Sequence, residues 1–232
     1  MNNLNLEIFE QLVNLHAVAG HEKSVRQFMK QELSKYSDEI IQDKLGSIFG
    51  VKKGLDKPII MIAGHMDEVG AMVTAITDRG FIKMIPIGGL NPEVMLSQNV
   101  LVNVGKERFV PGVVGAVPPH ITKGEEHKSL SFDDLLLDVG ADSKDHAQEL
   151  GLEIGQQITF MNQYYFSADG KKIVSKAWDN RFGCGMALEV LRELQTMDHP
   201  NTVIAGGTVQ EEVGLRGATT ASQMVEPDLF IA

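Results

Sequence analysis

Cysteine occurs once, at Cys184, in a chain of 232 residues. No internal disulfide can form, so the fold must rest on burial and hydrogen bonding alone, and a reducing, cytoplasmic setting is expected. Basic residues are scarce too: 21 Lys and Arg against 31 Asp and Glu leave a net charge of −10. That deficit speaks against a nucleic-acid-binding surface, because neutralising phosphates takes clustered cations, and equally against an anionic membrane as partner. Apolar runs are short. Ile59–Ala63 is typical, far below the roughly 20 residues a bilayer-spanning helix needs. The opening Met-Asn-Asn-Leu-Asn-Leu-Glu has no basic segment followed by an apolar one, so no signal peptide is read there.

What remains is an ordinary soluble composition, 43% apolar and 22% charged, in a chain long enough for one large domain or two small ones. Apolar residues recur at helical spacing through Leu6–Tyr36 (Ile8, Leu12, Leu15, then Val25, Phe28, Met29, Leu33), which predicts two helices with a turn around Ala19–Glu22. Ile40–Val51 reads as a hairpin around Lys44-Leu45-Gly46. Pro58–Ala63 is continuously apolar and predicts a strand buried on both faces of a parallel or mixed sheet. From Gly70 the character becomes β-rich: Ala71–Thr77 and Phe81–Ile87 flank Asp78-Arg79-Gly80, and Val100–Val104, Phe109–Val114 and Ile158–Phe160 follow as short strands. Within this stretch His120–Leu130 reads as a polar, mobile loop, and Ser143–Leu150 as a short helix with Asp142 as its cap. Beyond Tyr164 the α/β pattern returns: a short strand at Ile173–Ser175, a helix over Gly183–Leu194, a buried strand at Thr202–Val209, and another beginning at Pro227.

The expected architecture is therefore α/β, a mixed sheet flanked by helices (residues 1–69 and 165–232) interrupted by a small β-rich domain over residues 70–164. The last apolar run stops at Ala232 without a polar cap, which reads as a chain cut short.

Three segments carry chemistry. Gly64-His65-Met66-Asp67-Glu68 follows a buried strand, where ligand sites of open α/β sheets form. In extended backbone His65 and Asp67 point to the same side, and a carboxylate beside an imidazole is how proteins orient a metal-binding histidine. Trp178-Asp179-Asn180-Arg181 precedes a helix, so Asp179 is a helix cap or a carboxylate shared by two metals. Gln210-Glu211-Glu212-Val213-Gly214 follows the second buried strand; one of two adjacent acids can bind metal while the other handles the proton of the attacking water. Each segment alone has a plain structural explanation. Together they supply the His, Asp and Glu ligands expected for zinc, cobalt or manganese. Cys184 reads as a small buried residue, and His16, His21, His120, His127, His146 and His199 as structural or surface residues, since none shows paired spacing. The Lys123–Lys128 stretch reads as a solvated loop.

The strings Gly64–Gly70, Ser175–Arg181 and Val209–Gly217, with Ile85–Gly89 and Gly115–His120, resemble the glutamyl aminopeptidase family. These are dinuclear metallopeptidases, many of them tetrahedral dodecamers and some catalogued as endoglucanases. The resemblance implies a catalytic α/β domain with an inserted β-barrel. It further implies two divalent metals, with His65 binding one, Glu212 the other and Asp179 bridging both, and Glu211 as the general base. Asp67 would orient His65. Peptides are the implied substrates, with acidic N-terminal residues preferred, and a homo-oligomer (a dodecamer) is the implied assembly. The β-rich domain carries none of these residues and is expected to serve self-association. The family uses two further ligands, an Asp just beyond the position of Ala232 and a distant C-terminal His, so this chain alone is expected to bind metal poorly and to be inactive. The rival readings are another dinuclear amidohydrolase or deacylase, and a non-catalytic fragment acting only in assembly. A glycosidase proper would instead need its own carboxylate pair around a glycosidic bond.

Overall fold

The computed structural model describes residues 4–106, 108–116 and 129–232. His120, His127, the Lys123–Lys128 stretch, most of the anticipated polar loop and part of the Gly115–His120 string lie outside them. In chain order the elements are α1 (Leu6–Asn14), α2 (Lys23–Tyr36), β1 (Glu39–Gln42), β2 (Ile48–Lys52), β3 (Leu55–His65), β4 (Gly70–Ile76), β5 (Ile82–Ile87), α3 (Pro92–Met95), β6 (Asn99–Asn103), β7 (Phe109–Ala116) and β8 (Leu135–Asp138). Then come α4 (Lys144–Glu149), β9 (Gln157–Phe160), β10 (Tyr165–Phe166), β11 (Ile173–Val174), α5 (Trp178–Glu193), β12 (Asn201–Thr208), α6 (Arg216–Val225) and β13 (Leu229–Ile231).

These elements form two compact units, one drawn from Met1–Glu68 and Asn162–Ala232, the other from Val69–Met161. The first is built on a five-stranded mixed sheet of order β1-β2-β12-β3-β13. Strands β12 and β13 flank β3 in parallel, while β1 and β2 run antiparallel. Because side chains alternate across a strand, β12 splits its residues between two layers. Val203 and Ala205, with Val209 just beyond the strand, meet Leu12, Met29, Leu33, Leu188 and Leu191 of the helices α1, α2 and α5. Ile204 faces the opposite way, toward Phe49, Met61, Ala63 and Ala221 of α6. Glycine at 206 is required by close packing, because a Cβ there would run into the backbone of Ile48 and Phe49 on β2.

The second unit is a closed six-stranded barrel, β4-β5-β8-β7-β6-β9, filled by Val73, Ile82, Val100, Val102, Leu135, Leu137 and Ile158. Asp142 is not the cap of α4. Ser143 takes that place, its hydroxyl accepting from the His146 N–H at 3.1 Å, since the hydroxyl sits directly at the first helical turn while Asp142 lies one residue too early. The strand expected at Ile173–Ser175 forms as β11, which pairs with β10 in a two-stranded ribbon apart from the five-stranded sheet.

Candidate metal centre

Strands β3 and β12 run side by side with Thr208 opposite His65, and the Met66 N–H continues the ladder onto the Thr208 carbonyl at 2.8 Å. Both chains then leave the sheet at its carboxyl-terminal end. His65-Met66-Asp67 and Gln210-Glu211-Glu212 therefore emerge next to each other, at the edge where α/β sheets form their ligand sites. Helix α5 brings Asp179 to the same place by contact with the strand rather than by sheet pairing. Gly64 lies so close to the backbone of Gly183 and Cys184 that a Cβ on it could not be accommodated. The same approach leaves the Cys184 thiol against the His65 carbonyl at 3.4 Å, wholly buried, and burial pushes that thiol up to about 12. A thiol held protonated is no nucleophile.

His65 is the centre of the group. Its ring is 6% exposed; Nδ1 donates to the Asp67 carbonyl at 3.0 Å, and Nε2 stands 2.9 Å from Asp179 Oδ1 and 3.6 Å from Glu211 Oε2. Donor atoms of His65, Glu211 and Glu212 all lie within 4.8 Å of one another. Asp179 reaches in from the rim, its side chain 88% exposed, after a turn that includes a cis Asp179–Asn180 peptide.

Asp67 is fully buried, and its carboxylate is spent mainly on the acid pair: one oxygen accepts the Glu211 N–H at 3.1 Å and the other the Glu212 N–H at 3.0 Å. Its distance to His65 Nδ1 is 3.7 Å, so the carbonyl of Asp67, and not its carboxylate, makes the shorter contact with the ring. Burial first of all raises the proton affinity of Glu212; His65 opposes this, and the charges of Glu211, Asp67 and Asp179 reinforce it.

This donor set suits a divalent cation. A carbonyl oxygen can only accept, so the bond to Asp67 places a proton on Nδ1 and points Nε2 toward two carboxylates, where the neutral ring presents a lone pair. A lone pair facing anions is satisfied by a cation between them. Imidazole nitrogen with carboxylate oxygens is the mixture that zinc, cobalt and manganese accept.

Beneath these residues lies an ionic cluster with no signature in the sequence. Arg181 has no exposure at all; it donates to the carbonyls of Met66 at 2.7 Å, Leu12 at 2.6 Å, Leu15 at 3.1 Å and Ala17 at 3.4 Å, and to Glu68 at 3.4 Å. Lys176 donates to both Glu68 oxygens at 2.7 and 2.8 Å and to the Leu15 carbonyl at 3.0 Å. Burial, opposed by Glu68 and joined by Arg181, holds the Lys176 ammonium below its usual range. Segments before and after Asp67 and Asp179 are thus tied to the end of α1. Glu68, Lys176 and Arg181 were hidden because charged residues in a sequence read as surface, and no spacing distinguishes a buried ion pair from a solvated one. Trp178, beside Asp179, packs against Phe9 and Phe182, with ring centroids 6.4 and 6.3 Å away.

Similarity to known proteins agrees with this geometry. A glutamyl aminopeptidase of Lactococcus lactis is 38% identical over 234 residues, covering 98% of this chain and 66% of its own length. The crystal structure of a TET aminopeptidase from a marine-sediment Thaumarchaeota archaeon superposes with a TM-score of 0.92 at 36% identity, covering 97% of this chain and 64% of that one. The Pyrococcus horikoshii TET1 peptidase, which can assemble into a tetrahedron or a large octahedral shell, superposes with a TM-score of 0.85 at 28% identity, over 97% of this chain and 67% of that one. The chain spans between 63% and 66% of the length of three curated relatives it matches. The model of the M42 glutamyl aminopeptidases matches residues 46–232, a stretch that contains His65, Asp67, Asp179, Glu211 and Glu212, and on that match the chain belongs to the M42 glutamyl aminopeptidase family.

Proposed function

We propose that the protein removes N-terminal residues from peptides by metal-assisted hydrolysis. The observation that carries this is Nε2 of His65, its ring oriented by the Asp67 carbonyl, facing Asp179 and Glu211 at the end of two parallel strands. His65, Asp179 and Glu212 would hold two divalent ions, zinc, cobalt or manganese, with Asp179 shared between them. Such ions, when bound, polarise the scissile carbonyl and make water acidic enough to ionise near neutral pH.

The remaining work falls to the chain itself. Glu211, 3.6 Å from His65 Nε2 and one-third exposed, takes the proton from the attacking water and returns it to the departing amine. Asp67 holds the backbone of Glu211 and Glu212, so that base and ligand keep a constant spacing from His65. Acidic N-terminal residues are the preferred substrates in this reading, and the working form is a homo-oligomer in the cytoplasm. Among the described residues no helix is long and apolar enough to cross a membrane.

The test, run on the full-length protein, is a panel of aminoacyl-anilides, assayed after chelation and again after reconstitution with each of the three ions. Turnover that vanishes on chelation, returns with metal and is greatest for glutamyl or aspartyl substrates supports the reading. Turnover indifferent to chelators would overturn it.

A further inference from the structure

Glu22 stands at the start of α2, the place where a side chain ordinarily accepts the free N–H groups of its own helix. It makes no such bond. Its carboxylate is turned the other way, with Oε1 accepting the Gly20 N–H at 2.8 Å and the Gln210 N–H at 3.0 Å, across 188 residues of chain. The residue is 6% exposed. Gln210 lies between the end of β12 and the acid pair, and it sits in the left-handed region at φ 54°, which a residue with a Cβ holds only when its surroundings insist. Behind it the loop closes tightly: the Gly217 N–H returns to the Val209 carbonyl at 2.9 Å, and no Cβ would fit at 217. Three successive N–H groups, those of Gln210, Glu211 and Glu212, are thus each held by a buried carboxylate, the first by Glu22 and the next two by Asp67.

We propose that Glu22 is a positioning residue for the metal centre: through the Gln210 N–H it fixes the backbone from which Glu211 and Glu212 project. It acts from an N-terminal helix that supplies no ligand, at a position of no recognisable motif. The inference rests on the metal-site reading given above, because only a bound ion makes the aim of those two carboxylates matter.

Glu22→Ala and Glu22→Gln in the full chain test it by two readouts. Amide hydrogen exchange at Gln210, Glu211 and Glu212 should quicken about 10-fold or more in Glu22→Ala, with β3 and the body of β12 unchanged. Cobalt affinity should fall by about 10-fold or more and the visible spectrum of the bound ion should change. Glu22→Gln, which keeps an acceptor oxygen, should restore both. Unchanged exchange at Gln210 in Glu22→Ala would overturn the proposal. So would acceleration spread evenly over the sheet with no rescue by Gln, since that describes a general loss of stability. If the unaltered chain binds no cobalt, the fault lies with the metal reading, and the exchange measurement still decides whether Glu22 holds the loop.

Discussion

The ring of His65 and the carboxylate of Asp179 meet at 2.9 Å although 114 residues of chain separate them. No strand pairing joins their segments; the contact depends on Gly64 lying against the backbone of Gly183 and Cys184. In Gly64→Ala the added methyl would meet main chain, which cannot rotate aside as a side chain can. We expect a stability loss of about 1–3 kcal/mol, as for other overpacked cores. Urea denaturation measures it, and a metal titration alongside should show weaker binding as His65 and Asp179 part. A variant as stable as the parent would mean that α5 and β3 have room to separate.

Glu211→Gln keeps the shape of the acid pair and its backbone bond to Asp67, and removes the capacity to take a proton. In the full-length protein the expected outcome is retention of metal with turnover reduced about 10²–10⁴-fold. Metal content by elemental analysis and kcat with an aminoacyl-anilide check the two halves separately. Loss of metal in this variant would reassign Glu211 as a ligand, a role its place within 4.8 Å of the His65 and Glu212 donors would allow.

Asp67→Asn puts an amide NH2 against one of two backbone N–H groups, at Glu211 or Glu212, while leaving the carbonyl that holds His65 in place. Zinc or cobalt affinity should drop about 10–100-fold, the range seen when a group behind a ligand is altered. Isothermal titration reads this directly. Unchanged affinity would show that the loop keeps its shape without a buried anion.

Acid should weaken the fold in part through His16. Burial, followed by the nearby charges of Lys176 and Arg181, lowers its pKa from 6.5 to about 3. Between those two values the unfolded chain takes up a proton there that the folded chain refuses. The stability it contributes is complete above about pH 6.5 and is lost progressively as the pH falls toward 3. Urea unfolding followed from pH 7 to pH 4 should therefore show a shallower decline in His16→Gln than in the parent. Parallel curves would exclude His16 as the titrating group.

Much of the first unit is legible in the sequence because its elements obey simple periods. Ile8, Leu12, Val25, Met29 and Leu33 recur at helical spacing and pack on one face, and Ile59–Ala63 enters the middle of a sheet as its unbroken apolarity implies. Helix α6 is not legible: of its ten residues only Gly217 and Ala221 are buried, and its Thr and Ser content reads as loop. The short strand at Ile173 is legible, but its partner is not, because two apolar residues say nothing about which strand receives them. Four of the five candidate residues stand out through their position after buried strands, Asp179 through its place before a helix, and all five through the resemblance of their flanking strings. What supports them does not stand out, because Glu22, Glu68, Lys176 and Arg181 each bond to a neighbour more than 100 residues away in the chain.

Trp178 is the chain's sole tryptophan, and its three tyrosines are Tyr36, Tyr164 and Tyr165. All four belong to the unit that carries His65 and Asp179; the barrel unit, Val69–Met161, holds none of them. Intrinsic fluorescence therefore has a single indole source, one residue from Asp179, and the barrel contributes no tryptophan or tyrosine emission. Emission followed during a thermal ramp describes the melting of the metal-site unit alone. A barrel that unfolded at some other temperature would pass unnoticed by that method and be caught only by a global one such as calorimetry.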